Sequence, residues 1–238
     1  MAVKLELGDL EVEVVQKKIK NTHLSVHPPA GRVRISAPKD LDLETIRLYA
    51  ISKMGWIRTQ QRKLLEQERE TPRDFTERES HYVWGKRYLM SVKEKDAPPA
   101  VELTPKRLVL NVRPRSTQAA RQQVMDRWTR ELLRPAVEEL IEKWQSKIDV
   151  TADGFYIQRM KTRWGSCNSK AHTIRINSEL AKKPKECLEY IVVHELIHIH
   201  EPTHNKRFMI LMNRYMPDWK ERRQLLNHLP IRHEDWAY

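Results

Sequence analysis

The sequence predicts an α+β protein. Three observations lead there: short β-like runs broken by turn residues in the first half, two long stretches with apolar residues at helical spacing, and a histidine-bearing helix near the carboxy terminus, preceded by two further β-like runs. Taken in order, Leu24 and Val26, then Val33 and Ile35, alternate with polar neighbours about Pro28-Pro29-Ala30-Gly31, the pattern of a strand, a turn and a strand. Asp40-Leu41-Asp42 offers a helix cap, after which Ile46, Tyr49, Ala50, Met54, Ile57, Leu64 and Leu65 keep near-helical spacing to about residue 70. β-like runs at 87–93 and 108–112 flank the turn-rich Asp96-Ala97-Pro98-Pro99. A second long helix is expected over about 117–146, with Val124, Trp128, Leu132, Leu140, Ile141 and Trp144 on one face and Pro135 kinking or dividing it. Residues 155–160 and 172–177 read as strands, and Pro184 suits the first turn of a helix carrying Leu188, Ile191, Val192 and Leu196. Phe208, Leu211, Met212 and Tyr215 mark a helix that stops at Pro217, and Asp218 can cap a last one through Leu225, Leu226 and Leu229. No internal repeat stands out. The expected organisation is an amino-terminal β-rich region with one long helix (1–115), a connecting helix (116–150) and a carboxy-terminal core (151–238).

Composition bounds the function before any motif is read. The chain has 238 residues, enough for a substantial core, and 44 Lys+Arg against 32 Asp+Glu give a net charge of +12, so its surface attracts anions. The start Met-Ala-Val-Lys-Leu-Glu lacks the basic-then-apolar order of a signal peptide, and no apolar run approaches the roughly 20 residues of a bilayer span. A cytoplasmic location without membrane contact is expected. Cys167 and Cys187 are the only cysteines, which argues against a disulfide framework or a zinc ribbon and for two reduced thiols.

The stretch Val192-Val193-His194-Glu195-Leu196-Ile197-His198-Ile199-His200-Glu201-Pro202-Thr203-His204 concentrates the chemistry. His194 and His198 stand four apart, so on a helix both imidazoles lie on one face and can reach one ion, while Glu195 can reach a water bound to it. His204, six residues on, completes H-E-x-x-H-x5-H, the ligand spacing of the metzincin pattern, which has glycine where this chain has Glu201. Here Glu201-Pro202 must turn the chain, since proline disfavours helix at the residue before it. His200 faces away from the pair. Glu195, on an apolar helix, is costly to bury without a partner, and a metal-activated water would supply one. Upstream, residues 157–185 hold eight Lys/Arg against Glu179 alone, which makes Arg163 a candidate for stabilising an oxyanion or gripping a substrate anion. Trp164 and Arg175 are further candidate substrate contacts. Cys167 as a fourth ligand would close the site to water, so a buried thiol is expected.

Several of these runs together carry a resemblance. Lys161-Thr162-Arg163-Trp164-Gly165-Ser166-Cys167, Ile176-Asn177-Ser178-Glu179-Leu180, Tyr190-Ile191-Val192-Val193-His194-Glu195-Leu196-Ile197-His198, His204-Asn205-Lys206-Arg207-Phe208 and Met216-Pro217-Asp218-Trp219 resemble the YgjP-like metallopeptidase family of the zincins. Gly31-Arg32-Val33-Arg34-Ile35-Ser36-Ala37-Pro38 and Trp84-Gly85-Lys86-Arg87-Tyr88 resemble its amino-terminal half, so the likeness is nearly full length. It implies a zincin-like metallopeptidase core, with His194, His198 and His204 as metal ligands and Glu195 as the catalytic glutamate. Where the family commonly has Asn-His-Ser, this chain has Thr203-His204-Asn205, which keeps the ligand and changes its neighbours. The family in turn resembles the SprT-like and WLM proteases, some of which act on proteins attached to DNA.

The function expected is a zinc-dependent metallohydrolase cleaving peptide bonds with metal-activated water, Ni²⁺, Co²⁺ or Mn²⁺ being other ions that imidazoles accept. Its partner would be a peptide or protein, held beside the strand at 173–176. Two alternatives stay open on the sequence: a metal-dependent nucleotide or phosphate-ester hydrolase, drawn by the basic run, and a DNA-associated protein with a structural metal. Weak, non-specific binding of nucleic acid or nucleotides would follow from the charge alone.

Overall fold

Two strands not expected from the sequence open the chain. β1 (Ala2–Leu7) and β2 (Leu10–Lys17) form an antiparallel pair, and the alternation Leu10-Glu11-Val12-Glu13-Val14 buries Leu10, Val12 and Val14 on one face. β3 (His23–His27) and β4 (Arg32–Pro38) come next, giving the order β1-β2-β4-β3 with β2 and β4 parallel at the centre. The helical pattern after Asp42 forms two helices rather than one: α1 (Leu43–Ser52) and α2 (Met54–Glu66). Asp42 caps the first by accepting from the Thr45 N–H at 2.8 Å. Lys53 breaks the run, with φ −101° and ψ 4° and its N–H turned back to the Tyr49 and Ala50 carbonyls; Gly55, a weak helix former, stands two residues later. Ile46, Ala50 and Ile57 join Val12, Val14, Val33 and Ile35 in one cluster. The structure, a computed structural model, describes residues 2–27, 31–66 and 70–230, so the turn expected at Pro28-Pro29-Ala30 and the helix end expected near 70 lie at least partly outside the described residues.

A second sheet repeats the topology of the first although no sequence repeat announces it. β5 (Ser80–Val83), β6 (Lys86–Glu94), β7 (Ala100–Leu103) and β8 (Arg107–Val112) are ordered β5-β6-β8-β7, again with a parallel central pair and antiparallel flanks. Its apolar face, with Met90, Leu108, Leu110 and Val112, packs against Val124 and Met125 of α3 (Gln118–Ile148). That shared core moves the main division of the chain. The chain divides into two compact units between Pro72 and Arg73 and not near residue 115, because the second sheet is covered by the connecting helix and so belongs to the same unit as the carboxy-terminal core. Of the two outcomes expected at Pro135, division of the helix does not occur: α3 runs through it as one element. Pro135 and Glu131, whose carbonyl loses its i+4 donor, are both exposed, so the proline stands on the solvent side of the helix.

The far half of α3 carries Leu133, Val137, Ile141, Trp144 and Ile148 into the core that positions the site. β9 (Gly154–Gln158), β10 (Gly165–Asn168) and β11 (Thr173–Asn177) form a three-stranded sheet in the order β10-β11-β9, β10 antiparallel and β9 parallel to β11. A 3-10 turn, Ser178–Lys182, leads to α4 (Lys185–His200), then α5 (Lys206–Tyr215) and α6 (Trp219–His228). The β5–β6 turn is fastened to the 3-10 turn: the Trp84 N–H donates to the Ala181 carbonyl at 2.7 Å and the Gly85 N–H to that of Lys182 at 3.1 Å. Gly85 has φ +77° and any Cβ would lie 2.9 Å from the Pro184 ring, so only glycine fits. Asp218 precedes α6 but makes no side-chain cap; its carboxylate instead accepts from Arg222 at 2.8 Å. Arg222 also reaches Glu189 of α4, which Lys143 and Trp144 of α3 bind as well, so one carboxylate ties three helices. Among the described residues no helix is long and apolar enough to cross a membrane.

Candidate active site

Helix α4 is buried along most of its length, with Cys187, Leu188, Ile191, Val192, Val193, Leu196 and Ile197 all inside, so a polar side chain on the same faces is costly without a partner. His194 and His198 project one turn apart. The helix ends at Glu201, the chain reverses through Pro202 and Thr203, and Asn205 caps α5 by accepting from the Phe208 N–H at 3.0 Å. The reversal brings His204 back to the other two histidines.

The three Nε2 atoms form a nearly regular triangle: 3.2 Å from His194 to His198, 3.1 Å from His198 to His204 and 3.0 Å from His204 to His194. His198 Nδ1 lies 2.9 Å from the Glu201 carbonyl, which only accepts, so Nδ1 carries the proton and neutral Nε2 presents a lone pair. Protonation cannot then satisfy all three edges. Placing protons on the other two nitrogens points two N–H groups at each other, and removing one leaves two lone pairs face to face. A cation resolves every edge at once. Nitrogens held at about 2.0–2.1 Å around a tetrahedral ion lie roughly 3.3 Å apart, within a few tenths of an ångström of this triangle. These residues fit a metal, and they are a cluster able to hold one.

Electrostatics point the same way. Burial, then the neighbouring His198, His204 and Arg223, pushes His194 down to about 3, and burial with the His204 neighbour outweighs the Glu201 carbonyl to lower His198. Phe208, 1% exposed, is the shared floor of the rings, with centroids 5.0, 4.7 and 4.8 Å from those of His194, His198 and His204. The outer nitrogen of His194, Nδ1, is buried without a hydrogen-bond partner.

Glu195 is 4% exposed, and burial pushes its carboxyl up to about 8 against the lowering influence of Arg163. Its carboxylate lies against Gly165, where a Cβ would stand 2.5 Å from Oε1 and 2.9 Å from Cδ. The same carboxylate, after burial, helps push the Cys167 thiol up to about 11, so this cysteine is a protonated thiol; it was expected to be buried, and is instead half-buried at the cleft wall. Imidazoles and carboxylate open onto a cleft of about 510 Å³ whose other walls include Arg163, Trp164, Gly165, Ser166 and Pro202.

Two expectations about the surroundings need correction. β11 is the central strand of its sheet, both edges being paired, so it has no free edge to offer an extended chain. β10 and β9 are the two edge strands, and β10 is the one that lines the cleft. Arg175 is exposed on β11, on the face opposite the buried Ile174 and Ile176, and is not part of the cleft wall. His200 does face away from the pair: its Nε2 donates to the Ile148 carbonyl at 3.1 Å and joins α4 to the end of α3. In the sequence Phe208 is only a helix marker and Gly165 only a motif glycine. Nothing in their spacing shows that one floors the histidines and the other makes room for Glu195.

Comparison with known proteins places this geometry in context. The profile of the YgjP-like family, described as a metallopeptidase domain, matches residues 21–229. Among solved structures, the metallopeptidase zymogen jannalysin of Methanocaldococcus jannaschii is 23% identical over 38% of this chain and 87% of its own, with a TM-score of 0.35. The metallopeptidase zymogen abylysin of Pyrococcus abyssi is 22% identical over 41% of this chain and 99% of its own, with a TM-score of 0.36. None of the curated proteins matches.

Proposed function

The chain belongs to the YgjP-like metallopeptidase family, and from that premise we propose that it is a zinc peptidase whose ion is held by His194, His198 and His204 and whose general base is Glu195. The observation that carries the reading is the triangle of Nε2 atoms at 3.0–3.2 Å opening onto the same cleft as a buried carboxylate. Zinc bound there would lower the pKa of a water and polarise the scissile carbonyl. Neutral imidazoles from His194, His198 and His204 would leave a bound ion its full charge, and a set of only three protein ligands would suit a catalytic site rather than a closed structural one.

The residues of the chain do the rest. Glu195 takes a proton from the attacking water on its carboxylate and returns it to the departing amine nitrogen, so the C–N bond breaks with no net proton change on the enzyme. Gly165 lets that carboxylate lie against the strand wall. The Nδ1–H of His198, held by the Glu201 carbonyl, keeps its ring turned with Nε2 inward, and Phe208 fixes the planes of all three rings. Substrate backbone pairs with the edge of β10, replacing the strand at 173–176 in that role, and Arg163 and Trp164 contact its side chains. The family implies a peptide or protein substrate, and it lends no support to nucleic acid as a partner.

The experiment is zinc reconstitution followed by assay on labelled casein and a quenched-fluorescent peptide library, beside Glu195→Gln. The variant should keep stoichiometric metal and lose hydrolysis by about 10²-fold or more. Equal turnover by Glu195→Gln on a peptide the wild type cleaves would remove Glu195 from the chemistry.

A further inference from the structure

We propose that Asn177 is the positioning residue of the substrate-contacting loop. Its side-chain amide is the lock that holds residues 160–164, and with them Arg163 and Trp164, at the cleft. The inference rests on the reading of Arg163 and Trp164 as substrate contacts.

Asn177 ends β11 and is 4% exposed, and its amide has every hydrogen-bonding position filled. Nδ2 donates one hydrogen to the Met160 carbonyl at 2.9 Å and the other to the Arg163 carbonyl at 2.8 Å. Oδ1 accepts from the Met160 N–H at 3.3 Å and the Glu179 N–H at 3.1 Å. The backbone joins in, the Asn177 N–H donating to the Trp164 carbonyl at 2.9 Å. Three of these five bonds bind both ends of the loop that joins β9 to β10, and a fourth, through the backbone, fixes Trp164. The Met160 and Arg163 carbonyls pair with this one amide instead of within secondary structure, and removing the donor would leave both without it. Two carbonyls on one atom require an NH₂ there, so only asparagine, of the side chains of this size, completes the pattern.

What the lock presents is chemically pointed. Arg163 lines the cleft, and its charge is felt by the buried Glu195. Trp164 lines the same cleft and receives the ammonium of Lys183 5.9 Å from its ring centroid. A guanidinium on a loop free to move would lose much of its grip to the entropy of ordering; holding the Arg163 backbone by its carbonyl removes the backbone share of that cost.

The competing account is that Asn177 only caps the 3-10 turn by accepting from Glu179. Asn177→Asp separates the two. A carboxylate keeps the shape, still accepts from Glu179 and is as good a cap, but it donates nothing and sets negative oxygen against the Met160 and Arg163 carbonyls. Zinc-loaded wild type, Asn177→Asp, Arg163→Ala and the double variant are compared on one quenched-fluorescent peptide that the wild type cleaves, with zinc content and hydrogen exchange over residues 158–166 measured on each. The expected results are unchanged zinc, a fall in kcat/KM of about 10-fold or more, faster exchange over 158–166 but not over 188–199, and little further loss when Asn177→Asp is added to Arg163→Ala. Activity within about twofold of wild type, unchanged exchange in the loop, or losses that multiply in the double variant would each overturn the proposal. If the wild type cleaves no peptide, the zinc-peptidase reading is what fails, and the exchange comparison still decides the role of Asn177.

Discussion

Adding one methyl group at Gly165 should disable the base without touching the metal. The backbone there lies outside the left-handed region, so alanine is conformationally allowed, and the cost comes wholly from what the new Cβ meets. It meets Glu195, at 2.5 Å from Oε1 and 2.9 Å from both Cγ and Cδ. Ordinary carbon–oxygen contact is about 3.3 Å, so the carboxylate or the strand must give by roughly 0.8 Å. Glu195 sits on a helix buried on nearly every side and is itself 4% exposed, which leaves the side chain as the part that yields. A displacement of that size at a reacting group costs about 10²-fold in rate, or roughly 2.7 kcal/mol of barrier. Gly154 supplies the control, since it stands in the same sheet and a Cβ there meets nothing within 4 Å. The assay is kcat and KM on a peptide substrate, with zinc content and melting temperature, for Gly165→Ala and Gly154→Ala in parallel. Gly165→Ala should lose kcat and keep its zinc, and Gly154→Ala should match the wild type. Full activity in Gly165→Ala at an unchanged melting temperature would refute the contact, or the role of Glu195, or both.

Other expectations rest on the same geometry. His194→Ala and His198→Ala should each reduce bound zinc from about one per chain to near background, read by elemental analysis after dialysis, because two imidazoles do not complete a site. Zinc should raise the melting temperature of the wild type and leave that of His198→Ala unmoved, since only a native-state site stabilises by binding. Glu189 supplies a pH test: burial pushes its carboxyl up, but hydrogen bonds from Lys143, Arg222 and Trp144 outweigh it and hold the group at about 2. A depressed carboxyl stabilises the fold above its unfolded value near 4.5 and loses that contribution as pH falls toward 2, so the melting temperature of wild type minus that of Glu189→Gln should shrink across this window. Discounted for the partly solvent-screened bridge, the effect is about 1–3 kcal/mol, and a difference that does not vary with pH would count against it.

The site was more legible than its frame, for reasons that lie in individual residues. His194, Glu195 and His198 are related by helix geometry alone, and helical spacing is the most local information a sequence holds. The edge strand was illegible. Gly165-Ser166-Cys167-Asn168 has no β-branched or aromatic residue and becomes a strand only by pairing with β11, whose Thr173-Ile174-Arg175-Ile176 alternates plainly and so draws the expectation to itself. Arg175 misses the cleft for a separate reason: it alternates with the buried Ile174 and Ile176 and so lies on the other face of β11. β2 is a different case: Leu10, Val12 and Val14 alternate as well as any strand in the chain, so the signal for it is present in the residues themselves. The repeated strand order of the two four-stranded sheets is a property of pairing, which no residue pattern here encodes.

The departure from the metzincin pattern at Glu201 is resolved by the backbone. Glycine would be needed after the second histidine if the chain left the helix through a left-handed residue. Here Glu201 has φ −133° and ψ 94°, extended backbone open to any residue, and Pro202 enforces it, because a residue before proline is driven out of the helical region. Proline also has no N–H, so the helix cannot continue through it. The Glu201 carbonyl, released from the helix, takes the Nδ1–H of His198 instead. The same turn that returns His204 to the centre therefore sets which nitrogen of His198 faces inward. Replacing the glycine is not a weakening of the motif: Glu201-Pro202 obtains the reversal from φ restriction where glycine obtains it from φ freedom, and couples it to the tautomer of a ligand.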